Sequence, residues 1–139
     1  MPIGGKPFLD TNVIVYAFGA NDPRREAAQA LLAQGAVTGV QVLNEFVAVA
    51  RRKLRMNWNE VSAALSALRV LCPSPVPLTI GTHEAALKIA QRYGFGIFDA
   101  LIVAAAMEAR CGTLYSEDMQ DGQVIGGVTI RNPFAGRVP

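Results

Sequence analysis

Histidine occurs once in the chain, as His83, and cysteine twice, as Cys72 and Cys111. A lone imidazole leaves no histidine pair for metal-independent ribonuclease chemistry. Two cysteines without a CxxC or a nearby histidine are too few for a disulfide framework and read as reduced, buried thiols. His83, flanked by Thr82 and Glu84 near a helix start, reads as an ordinary surface or capping residue. No run of 18 or more apolar residues occurs, and Met1-Pro2-Ile3-Gly4-Gly5-Lys6-Pro7 lacks the basic-then-apolar order of a signal peptide. The expectation is a cytoplasmic protein with no membrane contact. With 139 residues and 51% hydrophobic content, the chain suits one globular domain over residues 1–139.

What the chain does have is acid set in apolar sequence. Asp10 lies in Phe8-Leu9-Asp10-Thr11-Asn12-Val13-Ile14-Val15, Glu45 in Val42-Leu43-Asn44-Glu45-Phe46-Val47, and Asp99 in Ile97-Phe98-Asp99-Ala100-Leu101-Ile102. Asp118 follows Thr113-Leu114-Tyr115-Ser116-Glu117. Burying an ionised carboxylate is costly unless it is paired or bound to a metal. Several such acids gathered in one place predict a divalent cation. Each also has a simpler reading: a helix cap for Asp10 or Asp99, a salt bridge to Arg51 or Arg52 for Glu45, and a turn for Asp118.

Charge has the same two-sided character. The formal net charge is +2, from 13 Lys and Arg against 11 Asp and Glu. If the four acids converge, they take 4 of the 11 negative charges and leave 13 basic against 7 acidic groups elsewhere. That is a negative pit in a positive surface, densest at Arg51-Arg52-Lys53-Leu54-Arg55. Such a field draws polyanions once a cation fills the pit.

Hydrophobic periodicity alternates short strands and helices. Strands are expected at Ile3 with Phe8-Leu9, at 36–40, at 113–115 and at 123–130. Helices are expected at 13–18 capped by Thr11 or Asn12, at 24–34 after Asp22-Pro23, at 41–54, from Asn57 or Asn59 to Leu68, at 83–93 capped by Thr82, and at 97–109. Cys72-Pro73-Ser74-Pro75-Val76-Pro77 reads as a loop, with room for a short strand segment around Val76 and Leu78. The pattern predicts an α/β protein, a three-layer α/β/α sandwich with a mostly parallel central sheet. Ligands of such sheets bind beyond the carboxyl ends of the strands, where Asp10 and Asp118 would lie.

Taken in order, three segments carry a family likeness: Phe8-Leu9-Asp10-Thr11-Asn12-Val13-Ile14-Val15-Tyr16-Ala17, Leu43-Asn44-Glu45-Phe46, and Phe98-Asp99-Ala100-Leu101-Ile102-Val103-Ala104. They are followed by Leu114-Tyr115-Ser116-Glu117-Asp118-Met119-Gln120-Asp121-Gly122 and Ile130-Arg131-Asn132-Pro133-Phe134. The chain resembles the PIN domain family, and within it the VapC-type toxins of type II toxin–antitoxin modules. The resemblance implies an endoribonuclease whose Asp10, Glu45, Asp99 and Asp118 bind Mg²⁺ or Mn²⁺. It implies a hydroxyl near the site from Thr11 or Ser116, an organising role for Asn12, and Asp121 as a less regular extra acid. It also implies an RNA substrate, a homodimer, and a cognate antitoxin that silences the enzyme and alone carries the complex to operator DNA. Substrate choice would fall to groove shape and to Arg51, Arg52, Arg55 and Trp58, although Trp58 reads equally as a core or dimer anchor.

Two other classes fit less well. An aspartyl-nucleophile phosphatase commonly carries a second acid two residues after the first, where this chain has Asn12. A noncatalytic RNA- or protein-binding module that keeps the acidic groove for folding is the alternative.

Overall fold

Phe8 and Leu9, with no exposed surface, form strand β1 (Phe8–Leu9) in the computed structural model, which describes residues 5–19 and 21–135. A strand apolar on both faces is what a parallel sheet covered by helices on each side requires. β1 pairs in parallel with β2 (Thr113–Tyr115), and β2 in parallel with β4 (Val128–Arg131). β3 (Val124–Ile125) runs antiparallel to β4, giving the order β1-β2-β4-β3. Beyond β1, parallel bridges join Phe8 to Val37 and Gly39 to Val76.

Six helices among the described residues complete a three-layer α/β/α sandwich: α1 (Thr11–Phe18), α2 (Arg24–Ala33), α3 (Val40–Arg52), α4 (Trp58–Leu71), α5 (Ile80–Tyr93) and α6 (Ile97–Glu108). In α6 every residue from Ala100 to Ala106 is buried, so the helix is apolar all round and sits within the core. It packs on α3 and α5. No single helix among the described residues is long and apolar enough to cross a membrane.

Several local expectations change. The strand foreseen at 36–40 shrinks to two bridges, because Gly39 caps α3 and the helix starts at Val40. The strand foreseen at 123–130 is a hairpin, since Gly126 and Gly127 adopt φ of +53° and +83° and turn the chain back. Residue Ile3, expected to extend the first strand, lies outside the described residues. Asp10 itself, not Thr11 or Asn12, caps α1. The cap of α5 is Thr79, one turn before the expected Thr82, whose buried hydroxyl donates to Glu108 at 2.6 Å. Asp22 does serve the start of α2, accepting from the Arg24 N–H at 2.8 Å. Trp58 is 61% exposed and so anchors no core, whereas Cys72 and Cys111 are free and buried. His83 is exposed.

Candidate active site

The carboxyl ends of β1 and β2 lie side by side, with Leu9 opposite Tyr115 and Tyr115 opposite Arg131. The ladder runs one step past β1: the Asp10 N–H donates to the Tyr115 carbonyl at 3.0 Å. Asp10 therefore leaves the sheet exactly where α1 begins, and its Oδ1 accepts from the Thr11 N–H at 2.7 Å. Its Oδ2 accepts from the Ser116 hydroxyl at 2.7 Å, and the Ser116 oxygen also accepts from the Met119 N–H at 3.3 Å. Two chain segments converging on one carboxylate fix its orientation.

Glu45 comes from the middle of α3. Its Oε1 accepts from the Thr11 hydroxyl at 3.0 Å and its Oε2 from the Gln41 side-chain amide at 2.8 Å, rather than from Arg51 or Arg52. Asp99 stands in the first turn of α6, half-buried, where the helix dipole favours an anion. Asp118 is exposed in the loop after β2. The Asn12 carbonyl oxygen accepts from the Glu117 N–H at 3.4 Å, and its Nδ2 is buried with no partner.

The acids act on one another. Burial raises the Asp10 carboxyl to about 6, hydrogen bonds from Ser116 and Thr11 pull it down, and Asp99 and Glu45 push it up again. Asp99 is likewise raised, first by burial and then by Asp118 and Glu45. Each of the four thus lies within electrostatic reach of another, and none has a cationic partner among the described residues. Among those residues, however, no three His, Cys, Asp or Glu side chains stand close enough together to hold an ion between them. The donor set still fits a hard cation, because Mg²⁺ is usually held by one or two carboxylates together with waters and substrate phosphate, not by an all-protein cage.

Beside these acids runs a groove of about 380 Å³ lined by Thr11, Asn12, Tyr16, Glu45, Lys53, Glu117 and Asp118, with Val15 and Val49 as its apolar wall. Glu45, Val49 and Lys53 follow at i, i+4 and i+8 along α3, so one helix face joins an acid to the basic patch. Asp121 does not line this groove: it accepts from the Asn132 N–H at 2.9 Å and clips the loop to the end of β4. Sequence reasoning passed over Tyr16 and Glu117 as members of the groove wall, and Arg24 as the partner of Glu117. Tyr16 had a cue, standing one helical turn after Asn12, but nothing local ties Arg24 to Glu117 across 93 residues.

A parallel three-layer sheet with carboxylates at its C-terminal edge and a groove beside them is the architecture of a nuclease superfamily. The chain belongs to the PIN domain family, whose model matches residues 8–120. Its fold resembles that of VapC20 from Mycobacterium tuberculosis, a sarcin-ricin loop cleaving toxin, with a TM-score of 0.59 at 23% identity over 80% of this chain and 88% of that one. No curated protein matches it.

Proposed function

We propose that the protein is a Mg²⁺-dependent endoribonuclease, a single nuclease domain acting in the cytoplasm as the toxin of a type II toxin–antitoxin pair. The observation that carries the reading is Asp10: a buried carboxylate with no cation beside it, oriented by Ser116 and Thr11 and repelled by Asp99 and Glu45. Keeping such a group ionised costs free energy that a bound cation would offset. Asp10, Asp99 and Asp118 would hold Mg²⁺, or Mn²⁺, directly or through water, and Glu45 would complete the acidic wall. An ion bound there supplies charge relief on phosphate oxygens and a template for an aligned water.

The chain's own groups do the rest. Thr11 holds Glu45, Ser116 holds Asp10, and Asn12 anchors the loop that carries Asp118. Lys53 at the groove and Arg52 and Arg55 beyond it offer phosphate contacts, while Arg51, stacked 4.4 Å above the exposed Trp58 ring, presents a surface for an unpaired base. Family likeness supports a homodimer and a cognate antitoxin that occupies the groove and alone links the complex to operator DNA.

Induced expression followed by mapping of new RNA 5′ ends tests the reading. Wild type should produce discrete cuts, and purified protein should cut RNA in Mg²⁺ but not in EDTA. Asp10→Asn or Asp99→Asn should reduce cleavage by about 10²-fold or more while the fold survives. Wild-type turnover in either variant would refute the assignment, and RNA binding without cleavage would favour a noncatalytic module.

A further inference from the structure

Glu117 is the odd acid of the groove wall, because its charge is already matched. Its Oε1 accepts from the Tyr16 hydroxyl at 2.6 Å and its Oε2 from Arg24 Nη1 at 2.9 Å. Arg24 is in turn fully engaged: Nε and Nη2 donate to the two oxygens of Asp22 at 2.8 and 3.0 Å, and the guanidinium lies 4.3 Å above the Tyr16 ring. Tyr16 packs edge-on against buried Phe134 at 5.2 Å. An acid paired this way is a poor ion ligand, since Arg24 already supplies the cation and fills one of its oxygens.

Its covalent neighbours give the pairing a purpose. Ser116, one residue before, bonds Asp10, and Asp118, one residue after, lines the groove. The Glu117 backbone N–H also reaches Asn12. Side chain and backbone together tie the loop after β2 to α1, and through Arg24 to the start of α2. Ion pairs with about a fifth of their surface exposed contribute little to stability, so the lattice matters chiefly for position.

We propose that Glu117 is a positioning residue, not an ion ligand: clamped by Arg24 and Tyr16, it fixes the loop that presents Asp118 at the groove. This rests on the function proposed above for its catalytic consequence, but not for its structural one.

Glu117→Gln keeps the shape and removes the charge, Arg24→Met removes the cation, and Arg24→Lys restores charge without the fork. Hydrogen exchange at the Glu117 and Met119 amides should quicken in the first two variants and less in Arg24→Lys, with melting curves confirming the fold. Calorimetric Mn²⁺ titration without RNA should show affinity about tenfold weaker in Glu117→Gln and Arg24→Met, the scale seen when groups behind a ligand are lost. In cleavage assays the half-saturating Mg²⁺ concentration should rise by the same factor, with kcat at saturation within about twofold of wild type, whereas Asp118→Asn should lower kcat itself. Unchanged exchange, unchanged Mn²⁺ affinity, or a kcat loss that saturating Mg²⁺ does not recover would each overturn the proposal. If wild type neither bound Mn²⁺ nor cut RNA, the nuclease reading would fall, and amide exchange alone would decide whether Glu117 holds the loop.

Discussion

With 3% of its surface exposed, Asp10 titrates near 6 in the folded protein, chiefly because of burial, against 3.8 for an ordinary Asp. Without a divalent ion the native state therefore binds this proton more tightly than the unfolded chain does. The sign follows: as pH rises from about 4 to about 6 the native state loses stability, with the penalty absent below that window and complete above it. Two pH units correspond to at most about 3 kcal/mol. In EDTA the melting temperature should fall across the window, and Asp10→Asn should flatten that part of the fall. At pH 7 this variant should melt higher than wild type. Added Mg²⁺ should raise the wild-type melting temperature at pH 7 and move the variant far less. Equal slopes in wild type and variant would show that burial of Asp10 carries no such cost.

Among the elements, the β3–β4 hairpin is the most exacting about residue type. A Cβ at Gly127 meets nothing within 4 Å, so Gly127→Ala should cost only the left-handed backbone penalty, about 1–2 kcal/mol. Gly126→Ala adds a clash with Met107, whose Cε would lie 2.5 Å from the new carbon, and should shift the urea midpoint further. Equal midpoints would mean that the Met107 end moves aside freely. Gly127→Asn should recover most of the loss. This turn also marks where sequence reading stopped short. Apolar spacing and breakers such as Gly35, Gly94 and the 73–77 prolines were enough to locate six helices and the parallel sheet. They could not show that Gly126-Gly127 folds a strand back on itself, because a run of apolar residues around a glycine pair satisfies either pattern. Caps slid by a turn at Thr79 because Thr82 satisfies the same local signal. The four acids stood out because each interrupts apolar sequence. The groups that orient them, Thr11 for Glu45 and Ser116 for Asp10, are chosen by contacts spanning 34 and 106 residues, which no local pattern encodes.

At the scale of the whole molecule, an acidic mouth opens beside a basic helix end, and the two act oppositely on a polyanion. If the proposed function holds, RNA binding to the Asp10→Asn protein should weaken with salt, and Lys53→Ala or Arg52→Ala should each flatten the log–log slope by about 0.7 where that cation meets a phosphate. Trp58 is the sole tryptophan, so a single-stranded oligomer that stacks on it should quench the protein's fluorescence; an unquenched signal with full binding would place the strand elsewhere. One border of the sheet offers such visitors little. At its far margin Val76 spends its N–H on Thr38 and its carbonyl on Val40, so the outward-facing positions fall to Pro75 and Pro77, neither of which has a hydrogen to donate. A strand from another chain arriving at that border would find half of its ladder absent. Sheet extension by a second protein is thereby disfavoured at that border.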